Sequence, residues 1–193
     1  MEKRDLNATR KALINAAEEL MKGCRSPEEV TSRKIAAQAG VNAAMINYCF
    51  GSREQLIYEV FRGLLTKARG LRPELDAAMS DDLSPAQKLI EIHFTLMELM
   101  LDNPKISKAV TKFILFDRDL KTGLDSLPLV MEHFAGKKSE DECRLITFEL
   151  TSLHELAVLR KDDIKACCGI DLSDKAQLRK FVEENVRRFL YQV

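Results

Sequence analysis

Long apolar runs are missing from this sequence: nothing approaches the roughly eighteen residues that cross a bilayer. The N-terminal stretch MEKRDLNATRK has no apolar core of the kind a secretion signal carries. A disulfide framework is missing as well. The five cysteines, Cys24, Cys49, Cys143, Cys167 and Cys168, are odd in number and scattered, which is the usage of reduced cytosolic thiols. These absences set a cytoplasmic location as the expectation and speak against a membrane protein. No alternating strand pattern and no Asn-Gly hairpin signal occurs, which leaves an all-α fold. There is no phosphate-loop glycine motif, no HExxH or CxxC and no G-x-S-x-G elbow, and the single His, Ser and Asp residues assemble no triad. Neither an enzyme nor a cofactor or metal site is expected, and no internal repeat is visible.

What is present is a chain of 193 residues, 46% hydrophobic and 31% charged, enough to bury a core as one unit or as a small domain with a larger one. Its net charge of zero hides an asymmetry. Residues 1–70 hold twelve Lys/Arg against eight Asp/Glu, an excess that the remainder offsets. A basic N-terminal part on an acidic chain is the electrostatic footprint of a small nucleic-acid-binding domain.

That part centres on residues 30–61, VTSRKIAAQAGVNAAMINYCFGSREQLIYEVF. Ile35, Ala36 and Ala39 give a short helix an apolar edge. Gly40 stands where that helix must stop in a left-handed conformation, which glycine adopts without steric cost. Val41 is expected to be buried after it, and Asn42 to cap the next helix. Ile46 and Phe50 form the inner edge of that helix, leaving Ala43, Ala44, Met45, Asn47 and Tyr48 outside. Two short helices joined by a glycine turn, the second with an uncharged outer face, describe a helix-turn-helix with a recognition helix. Before it, Leu13, Ile14, Ala17, Leu20 and Met21 mark a helix over residues 7–22. After it, Ser52-Arg53-Glu54-Gln55 opens a long helix as a capping box. Its stripe of Leu56, Ile57, Val60, Phe61, Leu64, Leu65 and Ala68 runs toward an end around Gly70 to Pro73.

Candidate contacts follow from residue type. Thr31 and Ser32 hydroxyls and free amides at a helix start bind phosphate, with Arg33 adding charge, and Thr31 can also serve simply as a cap. Asn42 and Asn47 can hydrogen-bond base edges or phosphates, and Ala43, Ala44 and Met45 can pack on thymine methyls. Tyr48 is suited to a phosphate, a contact that positions without specifying. Arg53, in the first turn of the long helix, is placed for a phosphate too. With no arginine in the recognition helix, direct guanine reading is weak.

These residues resemble a family. IAxxAGV, a helix ending in an aromatic, and then F-G-S-R-E-Q-L are similar to the DNA-binding half of the tetracycline-repressor (TetR) family of bacterial regulators, over Asn7 to Leu65. Met45, Asn47 and Cys49 depart from the family's usual threonine, tyrosine, and histidine or other aromatic. The resemblance implies a DNA-binding domain at 1–51, completed by the helix start at 52–70. It also implies a helical effector-binding and dimerisation domain at 71–193, joined through the long helix acting as a lever.

Residues 74–193 read as all helix. Capping boxes at Ser84–Gln87 and Ser139–Glu142, Ser173, and stops at Asn103-Pro104, Gly136 and Gly169 place helices near 85–101, 104–119, 123–135, 140–167 and 174–191. Ser80 to Leu83 is a short polar loop. Leu145, Phe148, Leu153, Leu156 and Leu159, with Leu178, Phe181, Val182, Val186, Phe189 and Leu190, form stripes on the last two helices. Such stripes are core in a monomer, and the resemblance makes them the interface of a homodimer. His93, Phe94, Met97, Met100, Phe113, Phe116, Phe134, Phe148 and His154 are candidates to surround an apolar effector, or to be plain core. Cys167-Cys168 is either a thiol sensor or a packed pair at a helix end.

The expectation is therefore a transcription regulator, a repressor, that binds a palindromic site in double-stranded DNA as a homodimer and is released by a small, largely apolar effector. The alternative keeps the fold without an effector and is regulated by a protein partner or by thiol oxidation.

Overall fold

A computed structural model describes residues 3–70, 83–117, 119–121 and 124–191. The loop expected at 80–82, the helix end at 71–73 and the helix start at residue 123 lie outside the described residues. All regular structure among the described residues is helical. In chain order it comprises α1 (Lys3–Gly23), a 3-10 turn (Pro27–Glu29), α2 (Ser32–Gln38), α3 (Ala44–Phe50), α4 (Arg53–Gly70) and α5 (Pro85–Asp102). These are followed by α6 (Pro104–Phe116), α7 (Leu127–Phe134), α8 (Glu140–Leu159), α9 (Lys161–Cys168) and α10 (Lys175–Tyr191).

The chain forms two compact units. Residues 1–67 with 103–117 make the first, and residues 68–102 with 118–193 the second. Helix α6 thus packs with the N-terminal unit, although its sequence neighbours on both sides belong to the other.

In the first unit, periodic apolar residues converge from five helices. Leu13, Ala17 and Met21 of α1, Ile35 and Ala36 of α2, and Ile46 and Phe50 of α3 are buried with Leu56, Ile57, Val60 and Phe61 of α4. Ile106, Val110 and Ile114 of α6 are buried as well. Each large aliphatic side chain so buried contributes about 1.5–3 kcal/mol. Lys105 of α6 donates its ammonium to the carbonyls of Cys24 at 2.5 Å and Lys22 at 3.3 Å, satisfying the open carbonyl end of α1. Tyr58 and Phe113 pack with ring centroids 5.2 Å apart and planes tilted by 43°.

The turn between α2 and α3 closes in a Schellman arrangement. Val41 N–H donates to Ala36 O at 3.0 Å and Gly40 N–H to Ala37 O at 3.2 Å, with Gly40 at φ +68. Val41 is half-buried, a correction to the expected burial, because the turn uses its amide and leaves its side chain at the rim.

In the second unit, α10 packs on α5 and α8, and α7 packs on the same two helices. Leu89, Met97, Met100, Val130, Ile146, Leu150, Val158, Leu178, Val182, Val186 and Leu190 are its apolar core. Both expected capping boxes are present. Ser139 and Glu142 satisfy each other's backbone amides at 3.3 and 2.7 Å, and Ser84 and Gln87 do so at 3.3 and 3.0 Å. Around Ser52 only half of the box forms: Gln55 N–H donates to Ser52 Oγ at 3.0 Å, while the Gln55 amide turns to Glu59. The start of α10 is capped by Asp174, whose carboxylate accepts from Gln177 N–H at 2.9 Å, and not by Ser173. The helix expected over 140–167 is broken at Arg160. The apolar stripe ends at Leu159, and Asp162-Asp163 suit the first turn of a new helix, where the dipole favours carboxylates.

Candidate nucleic-acid interface

The outer face of α3 is built by its anchors. Ile46 is fully buried and Phe50 nearly so, which fixes the rotation of a helix only seven residues long. Tyr48 is then 69% exposed, and Asn42, Ala44 and Asn47 are exposed beside it. Ala43 and Met45 are half-buried at the edge of this face. Ala43, not Asn42, stands at the cap position of α3; the Asn42 carboxamide oxygen accepts from Ala44 N–H at 2.8 Å, satisfying one amide at the helix start, and its amide nitrogen is left for a ligand. Gly51 ends α3 at φ +81, and its N–H donates to Asn47 O at 2.9 Å.

At the start of α2, Thr31 Oγ1 accepts from Lys34 N–H at 3.4 Å, which uses a lone pair and leaves the O–H to donate outward. Arg33 and Lys34 are exposed and Ser32 is half-buried. The first turn of α2 carries no acidic residue, and neither does α3 at its first turn. Neutral and cationic groups without carboxylates form a surface that tolerates a polyanion. Lys34 was not singled out from the sequence; the signal available was its place in the exposed first turn, next to Arg33.

Two arginines are turned inward, one of them Arg53, expected at a phosphate. Arg53 Nη2 donates to Pro27 O at 2.6 Å, its Nε donates to Val30 O, and Nη1 pairs with Glu54 at 3.0 Å. Its side chain is only 20% exposed. Arg10 Nη1 donates to Cys49 O, and its guanidinium carbon lies 4.3 Å from the Phe50 ring centroid. Neither contact is periodic in sequence, so neither was visible there.

The effector candidates separate between the units. Phe113 lies in the first unit against Tyr58, and Phe116 is 78% exposed. Phe94 is half-buried under the Arg179 guanidinium at 4.4 Å, and Arg179 also forks onto Glu91 at 2.7 and 3.0 Å. Phe134 is buried, edge-on to His133, and Phe148 is half-buried. His93, Met97, Met100 and His154 share the core of the second unit. There, His93 Nδ1 and His154 Nδ1 are 2.9 Å apart, with the rings edge to face at 4.9 Å. Both Nε2 atoms are buried without a hydrogen-bond partner among the described residues. Burial lowers the His93 pKa to about 4. Burial, and then the neighbouring His93, hold His154 well below the usual imidazole value.

Of the dimer candidates, Leu178, Val182 and Val186 are fully buried inside the chain's own core, a correction to their placement at an interface. The reason is that α10 spends its apolar stripe on α5 and α8. Phe181, beside His154 at 6.0 Å, and Phe189 are half-buried. Leu145 at 56%, Leu156 at 44% and Leu159 at 43% exposure remain on the outer face of α8.

A profile of the tetR family of bacterial regulatory proteins matches residues 13–60, the stretch from the α1 core to the middle of α4. The HTH-type transcriptional regulator BetI of Agrobacterium fabrum (strain C58) is 41% identical over 83 residues, covering 43% of this chain and 38% of that protein. BetI of Rhizobium meliloti (strain 1021) is 39% identical over 88 residues, covering 44% and 41%. The chain therefore spans less than half the length of the curated relatives it matches. In fold it is similar to the crystal structure of the TetR family repressor AlkX from Dietzia sp. strain DQ12-45-1b. The TM-score is 0.60 at 17% identity, over 95% of this chain and 96% of that one.

Proposed function

We propose that this chain, whose residues 13–60 match the profile of the tetR family, is a helix-turn-helix transcription regulator of that family, a repressor that binds a palindromic operator as a homodimer through α3 and the start of α2. The observation that carries this is the outer face of α3: Asn47 and Tyr48 stand exposed on a short helix whose rotation Ile46 and Phe50 fix. A two-fold dimer sets two such helices about 34–36 Å apart, one turn of B-DNA. In this reading Thr31, Ser32, Arg33 and Tyr48 hold phosphates, while Asn42, Asn47, Ala43, Ala44 and Met45 meet base edges.

Release is assigned to a small, largely apolar effector in the core of the second unit. Its polar landmark is the His93–His154 pair. A hydrogen bond between two Nδ1 atoms requires opposite tautomers, so one Nε2 carries a proton and the other a lone pair. A hydroxyl, primary amide or undissociated carboxyl on an apolar body matches one donor and one acceptor. The second reading, thiol oxidation instead of an effector, rests on Cys167 and Cys168, both exposed at the end of α9. Thermal stabilisation by a compound of that class supports the effector, and loss of DNA binding on oxidation supports the thiols.

Purified protein mixed with fragmented genomic DNA is expected to enrich a small set of fragments sharing a palindrome. Affinity for that palindrome should fall roughly 10³-fold or more between 50 and 200 mM salt, because each phosphate contact releases counterions. A sample that enriches nothing and binds no duplex in dilute buffer contradicts the reading.

A further inference from the structure

We propose that Arg10 and Arg53 serve DNA recognition from inside the fold, as positioning residues that hold α3 and the start of α2, and not as phosphate contacts. The proposal rests on the DNA-binding reading above and assigns how its two contact elements are held.

Helix α3 has seven residues, too few for its own hydrogen bonds to fix it. Its last carbonyls have no partner within the helix. Arg10 reaches across from α1, donates to the carbonyl of Cys49, and lays its guanidinium on the ring of Phe50. The cation thus sits at the negative end of the helix, where it is stabilised. Phe50 is also one of the two buried anchors of α3. One side chain therefore holds the end of the helix and the residue that sets its rotation, while Asn42 holds the other end.

Arg53 does the corresponding work for α2. Its Nε and Nη2 grip the carbonyls of Val30 and Pro27, and Val30 directly precedes Thr31, the cap of α2. The guanidinium is planar, so at Arg10 it lies on the Phe50 ring while an N–H donates to the Cys49 carbonyl; a lysine ammonium is a compact point charge with no flat face to lay on a ring. Base contacts depend on the placement of α3, while most phosphate contacts come from the start of α2, so loosening the Arg10 clamp removes specificity before it removes affinity.

The test compares wild-type protein, Arg10→Met and Arg10→Lys, each on the enriched palindrome and on a scrambled duplex across a salt series. The clamp predicts that Arg10→Met loses roughly tenfold on the palindrome, the scale of one lost base contact. Scrambled-duplex affinity and the salt slope stay as in wild type, and Arg10→Lys gives no rescue. Hydrogen exchange of the α3 amides, measured without DNA, should quicken in both variants while the α1 and α4 amides keep their protection. The proposal is overturned if affinity falls equally on both duplexes, the slope drops by about 0.9 per subunit, and lysine restores binding, as for an ordinary phosphate contact. Unchanged exchange in α3 overturns it whatever the DNA result. Wild-type protein indifferent to all duplexes sinks the DNA-binding reading itself, while the exchange data still judge the clamp.

Discussion

Leu145→Glu combined with Leu156→Glu is expected to leave the subunit folded, convert a dimer to monomers of 21.9 kDa, and abolish tight operator binding. Both side chains are about half exposed on α8, so a glutamate there costs the isolated subunit little. In a paired α8 the same carboxylates would be buried against apolar surface and against each other, which is prohibitive. With the two recognition helices no longer tethered, the second half-site is not reached at high effective concentration, and affinity should drop ~10²–10⁴-fold. Sedimentation and circular dichroism separate this outcome from unfolding. A double variant that stays dimeric would move the interface off the outer face of α8.

Mild acid is expected to destabilise the second unit through its histidine pair. For a base, a folded-state pKa below the unfolded value means that the unfolded chain binds more protons between the two. Stability is therefore intact above pH 6.5 and is lost as pH falls from 6.5 toward about 4, the value to which burial drives His93. His154 is displaced in the same direction. At pH 5 the buried His93 alone costs about 2 kcal/mol relative to pH 7, which lowers the melting temperature by ~4–8 °C. Carboxyl groups held below their usual range, Glu142 by hydrogen bonds from Ser139 and Asp171 by one from Lys165, act at lower pH. The window from 6.5 to 5 thus belongs to histidine. His154→Gln should flatten the pH dependence there, whatever its effect on stability at pH 7. A melting temperature constant from pH 7 to pH 5 would mean the pair is not buried in the neutral form.

The sequence carried local chemistry well and distant chemistry poorly. Gly40, the Ile46 and Phe50 anchors, and the boxes at Ser84 and Ser139 were readable because each obeys a rule spanning four residues or fewer. Arg53 read as a phosphate contact because nothing periodic ties it to Val30, 23 residues away, and nothing periodic ties Arg10 to Cys49, 39 residues away. The His93–His154 contact spans 61 residues and was equally silent. Helix α6 looked like part of the C-terminal bundle because its sequence neighbours are, yet its apolar face packs in the first unit. The stripe on α10 shows a further limit. Leu178, Val182 and Val186 repeat as an interface would, but a helix presents the same pattern to its own core as to a partner.

The most direct test of the account is fluorescence anisotropy on the enriched palindrome with Asn47→Ala and Tyr48→Ala combined. Both side chains are exposed, so the variant should fold as wild type does. The account predicts roughly a 10²-fold or greater loss of operator affinity, from one base contact and one phosphate contact per subunit. Wild-type affinity in that variant would contradict the claim that α3 faces the DNA.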